Sequence, residues 1–292
     1  MFTGFTRATA EVNATRIHYL RGGNGPALLL LHGHPQTHVI WHKVAQQLAQ
    51  QFTVIAADLR GYGDSAKPAG LPDHSNYAKR TMAQDQLELM AQLGYREFFV
   101  MGHDRGARVA YRMALDHPAI VRKLVLLDIA PTLAMYEQTS REFATAYYHW
   151  FFLIRPAPYP ETLLGSHPEL YLQHTIGSRS AGLTPFTPEA YDEYLRCLRD
   201  PATIHGICED YRASASIDLE HERDDLAHGR KIQCETLVLW GRQGVIEQCF
   251  TPLSAWQALA DKVSGKALDC GHYIPEHAPE ALLAEVLPFF AG

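Results

Sequence analysis

The pentapeptide Gly102-His103-Asp104-Arg105-Gly106 sets a carboxylate between two glycines. It stands where an apolar strand-like run, Glu97 to Gly102, gives way to a helix-like one starting near Arg105. A glycine-x-nucleophile-x-glycine frame at such a junction lifts its central side chain to the top of a sheet. The five letters alone are weak, and their position between strand and helix gives them weight. A carboxylate nucleophile attacks an sp3 carbon and displaces a leaving group, which leaves an alkyl ester on the enzyme for water to cleave. The competing reading has Asp104 as a helix cap only.

Cleaving that ester needs a base, and Leu268-Asp269-Cys270-Gly271-His272-Tyr273 places a histidine after a short strand near the end of the chain. Of the 16 histidines, His272 alone falls in this position, with a side chain that titrates near neutrality. A carboxylate should fix its tautomer. The strand Thr236 to Trp240 is followed by Gly241-Arg242-Gln243-Gly244-Val245-Ile246, with Glu247 the first acid. The strand Lys123 to Leu127 runs directly into Asp128. We therefore favour Asp128 over Glu247, with helix capping as the alternative role for Asp128.

Charge developing on the Asp104 carboxyl calls for N–H donors, expected from the backbones of His34 and Arg105; Pro35 could hold the first of these loops through a cis bond. Arg105 and Arg108 lie three apart at the start of one helix and can reach one cavity, where paired guanidiniums suit a small anion. The plainer account pairs Arg105 with Asp58 or Glu276 and leaves Arg108 solvated. Farther on, Tyr147-Tyr148-His149-Trp150-Phe151-Phe152 and Glu209-Asp210-Tyr211-Arg212 offer His149, Trp150 and Tyr211 as donors for a departing halide. Core packing is the alternative for each aromatic residue.

Short apolar runs alternate with helix-like segments over the first 130 residues. This predicts an α/β chain with a mostly parallel central sheet. Strands are expected at Glu11 to Tyr19, Ala27 to Leu31 and Phe52 to Ala57, and a helix over Val39 to Gln50. From Leu133 to Ile232 no buried-strand pattern occurs, and helical patches at Tyr136 to Phe152, Pro188 to Leu198 and Pro201 to Ala213 dominate. The expected organisation is a core over 1–132, a helical cap over 133–232 inserted after the sixth strand, and a second core segment over 233–292.

The 47% hydrophobic content excludes a disordered chain, and a net charge of −6 without basic runs argues against nucleic acid. No apolar stretch of about 18 residues could span a bilayer. The amino terminus does not read as a signal peptide, so a cytoplasmic location is expected. The five scattered cysteines form neither a disulfide framework nor a metal site.

With these residues assembled, the chain resembles the haloacetate dehalogenases, specifically the fluoroacetate dehalogenases of the α/β-hydrolase superfamily. The resemblance covers essentially the whole chain. It rests on His32-Gly33-His34-Pro35-Gln36, Ala57-Asp58-Leu59-Arg60-Gly61-Tyr62-Gly63, Gly102 through Arg108, Leu127-Asp128-Ile129, Tyr148-His149-Trp150 and Gly271-His272. It implies that Arg105 and Arg108 hold the carboxylate of a small halogenated acid, and that Asp104 attacks the halogen-bearing carbon. His149, Trp150 and Tyr211 would receive the halide, and His272 with Asp128 would drive release of glycolate. It also implies a homodimer without metal or organic cofactor. His34 stands where the family usually has phenylalanine, and Ala107 where it often has glycine, which puts halide preference and pocket volume in question. Epoxide hydrolases share the aspartate chemistry but use tyrosine donors toward a neutral substrate, which two free arginines match poorly. Haloalkane dehalogenases usually carry tryptophan where Arg105 stands, and a non-catalytic binding protein of the same fold would need no intact Asp104, Asp128 and His272.

Overall fold

Runs rich in Leu, Ile and Val collapse into central strands covered on both faces, and with more exposed strands at the edges they form a single eight-stranded sheet. The computed structural model describes residues 1–292. The strands are β1 (Thr6–Val12), β2 (Thr15–Gly22), β3 (Ala27–Leu31), β4 (Thr53–Ala57), β5 (Phe98–His103), β6 (Val121–Leu127), β7 (Glu235–Gly241) and β8 (Val263–Leu268). Their spatial order is β1-β2-β4-β3-β5-β6-β7-β8. Only β2 pairs antiparallel with its neighbours, and every other pairing is parallel.

The run expected as one strand over Glu11 to Tyr19 is instead a hairpin between β1 and β2. Asn13 and Ala14 both have positive φ, 43° and 55°, the signature of a two-residue turn whose twist suits the flanking strands. Asn-Ala lacks the glycine that normally signals it. The turn is held from outside: the Asn13 side chain donates to Asp85 Oδ1 at 2.8 Å and to Thr81 O at 3.2 Å.

Alternation along the central strands builds two apolar layers. Leu29, Leu31, Ile55, Ala57, Val100, Leu124 and Leu126 face one side. Leu28, Leu30, Val54, Ala56, Met101, Val125 and Leu127 face the other. Each fully buried leucine contributes about 1.5–3 kcal/mol. Helices α1 (Ala45–Leu48), α2 (Lys79–Gln92) and α3 (Arg105–Asp116) precede the cap. Between β6 and β7 stand α4 (Thr132–Glu137), α5 (Arg141–Ala146), α6 (Tyr148–Phe152), α7 (Tyr159–Ser166), α8 (Pro168–Gly177), α9 (Pro188–Leu198), α10 (Pro201–Ser214) and α11 (Ile217–Ala227). They are followed by α12 (Val245–Cys249), α13 (Pro252–Gln257), α14 (Ile274–His277) and α15 (Pro279–Ala291). Residues of α1 and α15 cover the second layer, and those of α2, α3 and α13 the first.

The mostly parallel sheet and the helical insertion after the sixth strand are as the sequence predicts. Local extents differ. The helix expected over Val39 to Gln50 is a 3-10 turn at His38–Trp41 followed by the single turn α1. The patch Tyr136 to Phe152 is broken into α4, α5 and α6, because Ser140 starts a new helix by accepting from the Phe143 N–H at 3.1 Å. No helix is long and apolar enough to cross a membrane.

Candidate active site

Strand β5 delivers Asp104 to the carboxyl edge of the sheet and α3 carries the chain away. Asp104 adopts φ 46°, ψ −114° and makes no capping bond to α3, so the helix-cap alternative is not realised. Such a backbone costs on the order of 1–3 kcal/mol and persists only where its surroundings enforce it. The flanking glycines do so by permitting close approach. A Cβ on Gly102 would lie 2.6 Å from the Ala107 backbone, and one on Gly106 would lie 2.3 Å from Leu31 O. Gly106→Ala is accordingly expected to destabilise the fold by about 1–3 kcal/mol, read as a lower urea midpoint, and to misplace Asp104.

Asp104 Oδ2 accepts the His34 N–H at 3.1 Å, and the Arg105 N–H opens α3, where helical N–H groups have no intrahelical partner. The His34–Pro35 bond is cis. The loop carrying His34 is fastened by its neighbours: the Leu59 N–H donates to His32 Nε2 at 3.0 Å. Asp58 accepts from the rings of His18 and His38 at 2.9 and 2.8 Å. Asp58 is therefore occupied here and does not pair with Arg105.

His272 follows β8 and Asp128 follows β6. The His272 Nδ1–H donates to Asp128 Oδ2 at 2.5 Å, and Asp128 Oδ1 accepts the Gly241 N–H at 2.8 Å. His272 Nε2 has no hydrogen-bond partner and stands 4.0 Å from Asp104 Oδ2. Glu247 is turned away and accepts from the Trp240 indole. Burial raises the Asp104 carboxyl, but its surroundings, the His272 and His103 rings with the Arg105 and Arg179 guanidiniums, outweigh it and hold Asp104 far below the usual range. The arrangement is an ionised carboxylate beside an uncharged imidazole that is hydrogen-bonded to Asp128.

Four buried histidines give the site a pH signature. Burial first takes His272, His34 and His103 each down to about 3, and lowers His149 well below 6.5. A lowered histidine binds fewer protons folded than unfolded, so its contribution to stability is lost as pH falls from 6.5 toward the folded value. Burial raises Asp128 and Glu276 to about 7, which acts in the opposite sense between about pH 4 and 7. Burial also lowers His32, His42, His221 and His277, while it raises Asp85 and Glu222 and, against burial, Asp58 raises His38. The lowered histidines thus outnumber the groups acting the other way and leave a net loss. The urea midpoint is expected to fall steadily below pH 6.5, and most steeply below about pH 4, where Asp104 and Asp210, both held low, must also protonate on unfolding.

The other predicted residues cluster above Asp104. The His34 ring lies 5.9 Å from that of His149 and 5.4 Å from Tyr211, and Trp150 lies 6.3 Å from Tyr211. His149 Nε2, Trp150 Nε1 and Tyr211 Oη are buried without a protein partner. The two arginines stand differently. Arg105 donates through Nε and Nη2 to both oxygens of Asp210 at 2.9 Å, and only its Nη1 is unpartnered. Its partner is neither Asp58 nor Glu276. Lys79 shares Asp210 and lies 3.6 Å from Asp218, so two cations meet two carboxylates. Arg108 touches only neutral groups: Ala130 O at 3.2 Å, Thr132 Oγ1 at 2.8 Å, Met135 Sδ at 3.1 Å and the Trp150 ring at 4.7 Å. It is fully buried rather than solvated.

Sequence reasoning missed Asp210, His103 and Arg179. His103 Nε2 donates to His272 O at 2.9 Å, and Arg179 packs its guanidinium over Tyr147 and Tyr273. Asp210 adjoins Tyr211, but nothing local marks it as the partner of an arginine 105 positions earlier.

A sheet of this topology, a strained elbow bearing an acid, and a histidine–aspartate pair at two other strand ends define a hydrolase-fold enzyme. The chain belongs to the alpha/beta hydrolase fold family, whose model matches residues 26–278. It is 46% identical over 281 residues to a fluoroacetate dehalogenase from Burkholderia sp, covering 96% of this chain and 92% of that one. It is also 35% identical to a soluble epoxide hydrolase from Corynebacterium sp. (strain C12), covering 100% and 99%. The crystal structure of an alpha/beta hydrolase from Nostoc sp PCC 7120 superposes with a TM-score of 0.97 at 54% identity, covering 99% of each chain.

Proposed function

We propose that the protein is a dehalogenase that cleaves the carbon–halogen bond of a small 2-halocarboxylate, with fluoroacetate and chloroacetate as the first substrates to try. The observation that carries this reading is Arg108, a buried guanidinium whose only contacts are neutral. A buried charge with no carboxylate in direct contact, Glu222 being reached only through Thr132 and Tyr111, costs several kcal/mol, and an anionic substrate offsets that cost. Arg105 adds Nη1 to the same purpose.

In the first step an Asp104 oxygen attacks the halogen-bearing carbon from the side opposite the halogen, forming a carbon–oxygen bond as the halide leaves. His149 Nε2, Trp150 Nε1 and Tyr211 Oη, without protein partners, would take up its charge away from water. In the second step His272 Nε2 removes a proton from water. The oxygen adds to the Asp104 carboxyl carbon, and the N–H groups of His34 and Arg105 stabilise the resulting oxyanion. Collapse releases the 2-hydroxyacid and restores the carboxylate, so that halide, proton and hydroxyacid balance the substrate and one water.

A second reading, epoxide opening by the same Asp104 and His272, is favoured by seven further relatives, all of which carry epoxide hydrolase names. The unpartnered Tyr211 hydroxyl could protonate an epoxide oxygen. The test is release of fluoride and glycolate from fluoroacetate, with chloroacetate and styrene oxide run in parallel. Equal amounts of fluoride and glycolate support the first reading, and chloroacetate turnover alone removes the fluoride assignment. Epoxide opening without haloacetate turnover establishes the second reading.

A further inference from the structure

An imidazole set between two carboxylates is normally driven to its charged form, and a charged His272 could not take a proton from water. His272 is in that position, with Nδ1 2.5 Å from Asp128 Oδ2 and Nε2 4.0 Å from Asp104 Oδ2. The other groups packed on it are uncharged: the His103 ring at 4.7 Å, Tyr273 at 4.8 Å and Tyr147 at 6.1 Å. Apart from Arg108, whose charge acts on it more weakly, the cation available to offset two acids is Arg179.

Arg179 follows α8 in the cap. Its Nη2 donates to Tyr273 Oη at 2.6 Å and its Nε to Thr175 O at 3.0 Å. Its Cζ stands 5.5 Å from the centre of the Tyr147 ring and 5.3 Å from that of Tyr273. All these partners are neutral, so no carboxylate consumes its charge. The same residue also grips the base through its backbone. Arg179 O accepts the His272 N–H at 2.9 Å, and a Cβ on Gly271 would come within 2.6 Å of that oxygen.

We propose that Arg179 is a positioning residue for His272: its guanidinium, seated on Tyr147 and Tyr273, offsets Asp104 and Asp128 so that the ring stays an uncharged proton acceptor, while its carbonyl fixes the His272 backbone. After burial, Arg179 is the largest influence lowering His272, and the same holds for His34 and His149. Conversion of Asp104 to an ester removes one of the two acids, so the base is most firmly neutral when it is needed.

The proposal rests on His272 acting as the base, but its test needs no substrate. Protonation of His272 is followed by NMR of the resting protein with labelled histidine, the resonance assigned with His272→Gln. In the wild type the ring should stay uncharged far below pH 6.5. Arg179→Met should raise its proton affinity about tenfold or more, a shift of one pH unit, and Arg179→Lys should restore the wild-type titration. Should Arg179→Met fail to fold, Tyr273→Phe, which frees Nη2 but keeps the ring, should shift the titration in the same direction by less. An unmoved titration in Arg179→Met or Tyr273→Phe, or a lysine variant that behaves like methionine, overturns the proposal. Failure of the wild type to turn over haloacetates would sink the dehalogenase reading and leave this result standing.

Discussion

His272→Gln is expected to release one halide per enzyme from a haloacetate and then stop, with steady-state turnover lowered roughly 10³-fold or more. The first step needs only the Asp104 carboxylate and the donors around the leaving group. The second needs a base, and His272 Nε2, unpartnered and 4.0 Å from Asp104 Oδ2, is placed to serve a water attacking the ester. Glutamine can still donate to Asp128, so Asp128 is not left as an unpaired buried acid and the fold should hold. Rapid-quench halide assay should show the burst, and intact mass should show a substrate-derived adduct that is absent from Asp104→Asn. A variant that loses the burst together with turnover would place His272 in the first step and refute the two-step scheme.

The elbow was legible because its cause is local: a glycine on each side of Asp104, where Cβ atoms would collide with Ala107 and Leu31, leaves a pattern within five residues. Asp128 and His272 were legible for a related reason, since one directly and the other within a few residues follows a strand-like stretch, and strand ends of a parallel sheet share an edge. The β1–β2 hairpin was not, because Asn13-Ala14 reaches positive φ through bonds to residues of α2 that no short window contains. The electrostatics of the arginines were also hidden. The sequence shows two guanidiniums three apart, but only the crossing of α10 over α3 reveals that Asp210 has taken one of them. Arg179 carried no signal either, since its importance depends on two tyrosines distant in sequence, Tyr147 and Tyr273.

That difference between neighbouring arginines yields the second large effect. Arg108→Met should lower kcat/KM on chloroacetate by about 10²-fold or more, as expected for truncating a buried charged contact worth about 2–5 kcal/mol. Its urea midpoint should be unchanged or higher, because the side chain removed is a buried cation without a carboxylate partner. Arg105→Met should behave oppositely in stability. It leaves Asp210 with Lys79 as its one cationic partner, and breaking such a buried pair costs about 3–5 kcal/mol, enough to obscure any activity loss in a partly unfolded sample. A substrate anion therefore reads most directly through Arg108. If Arg108→Met left haloacetate turnover intact, Arg108 would be a structural cation held by Trp150, and the substrate carboxylate would be held elsewhere, as by Arg105 Nη1.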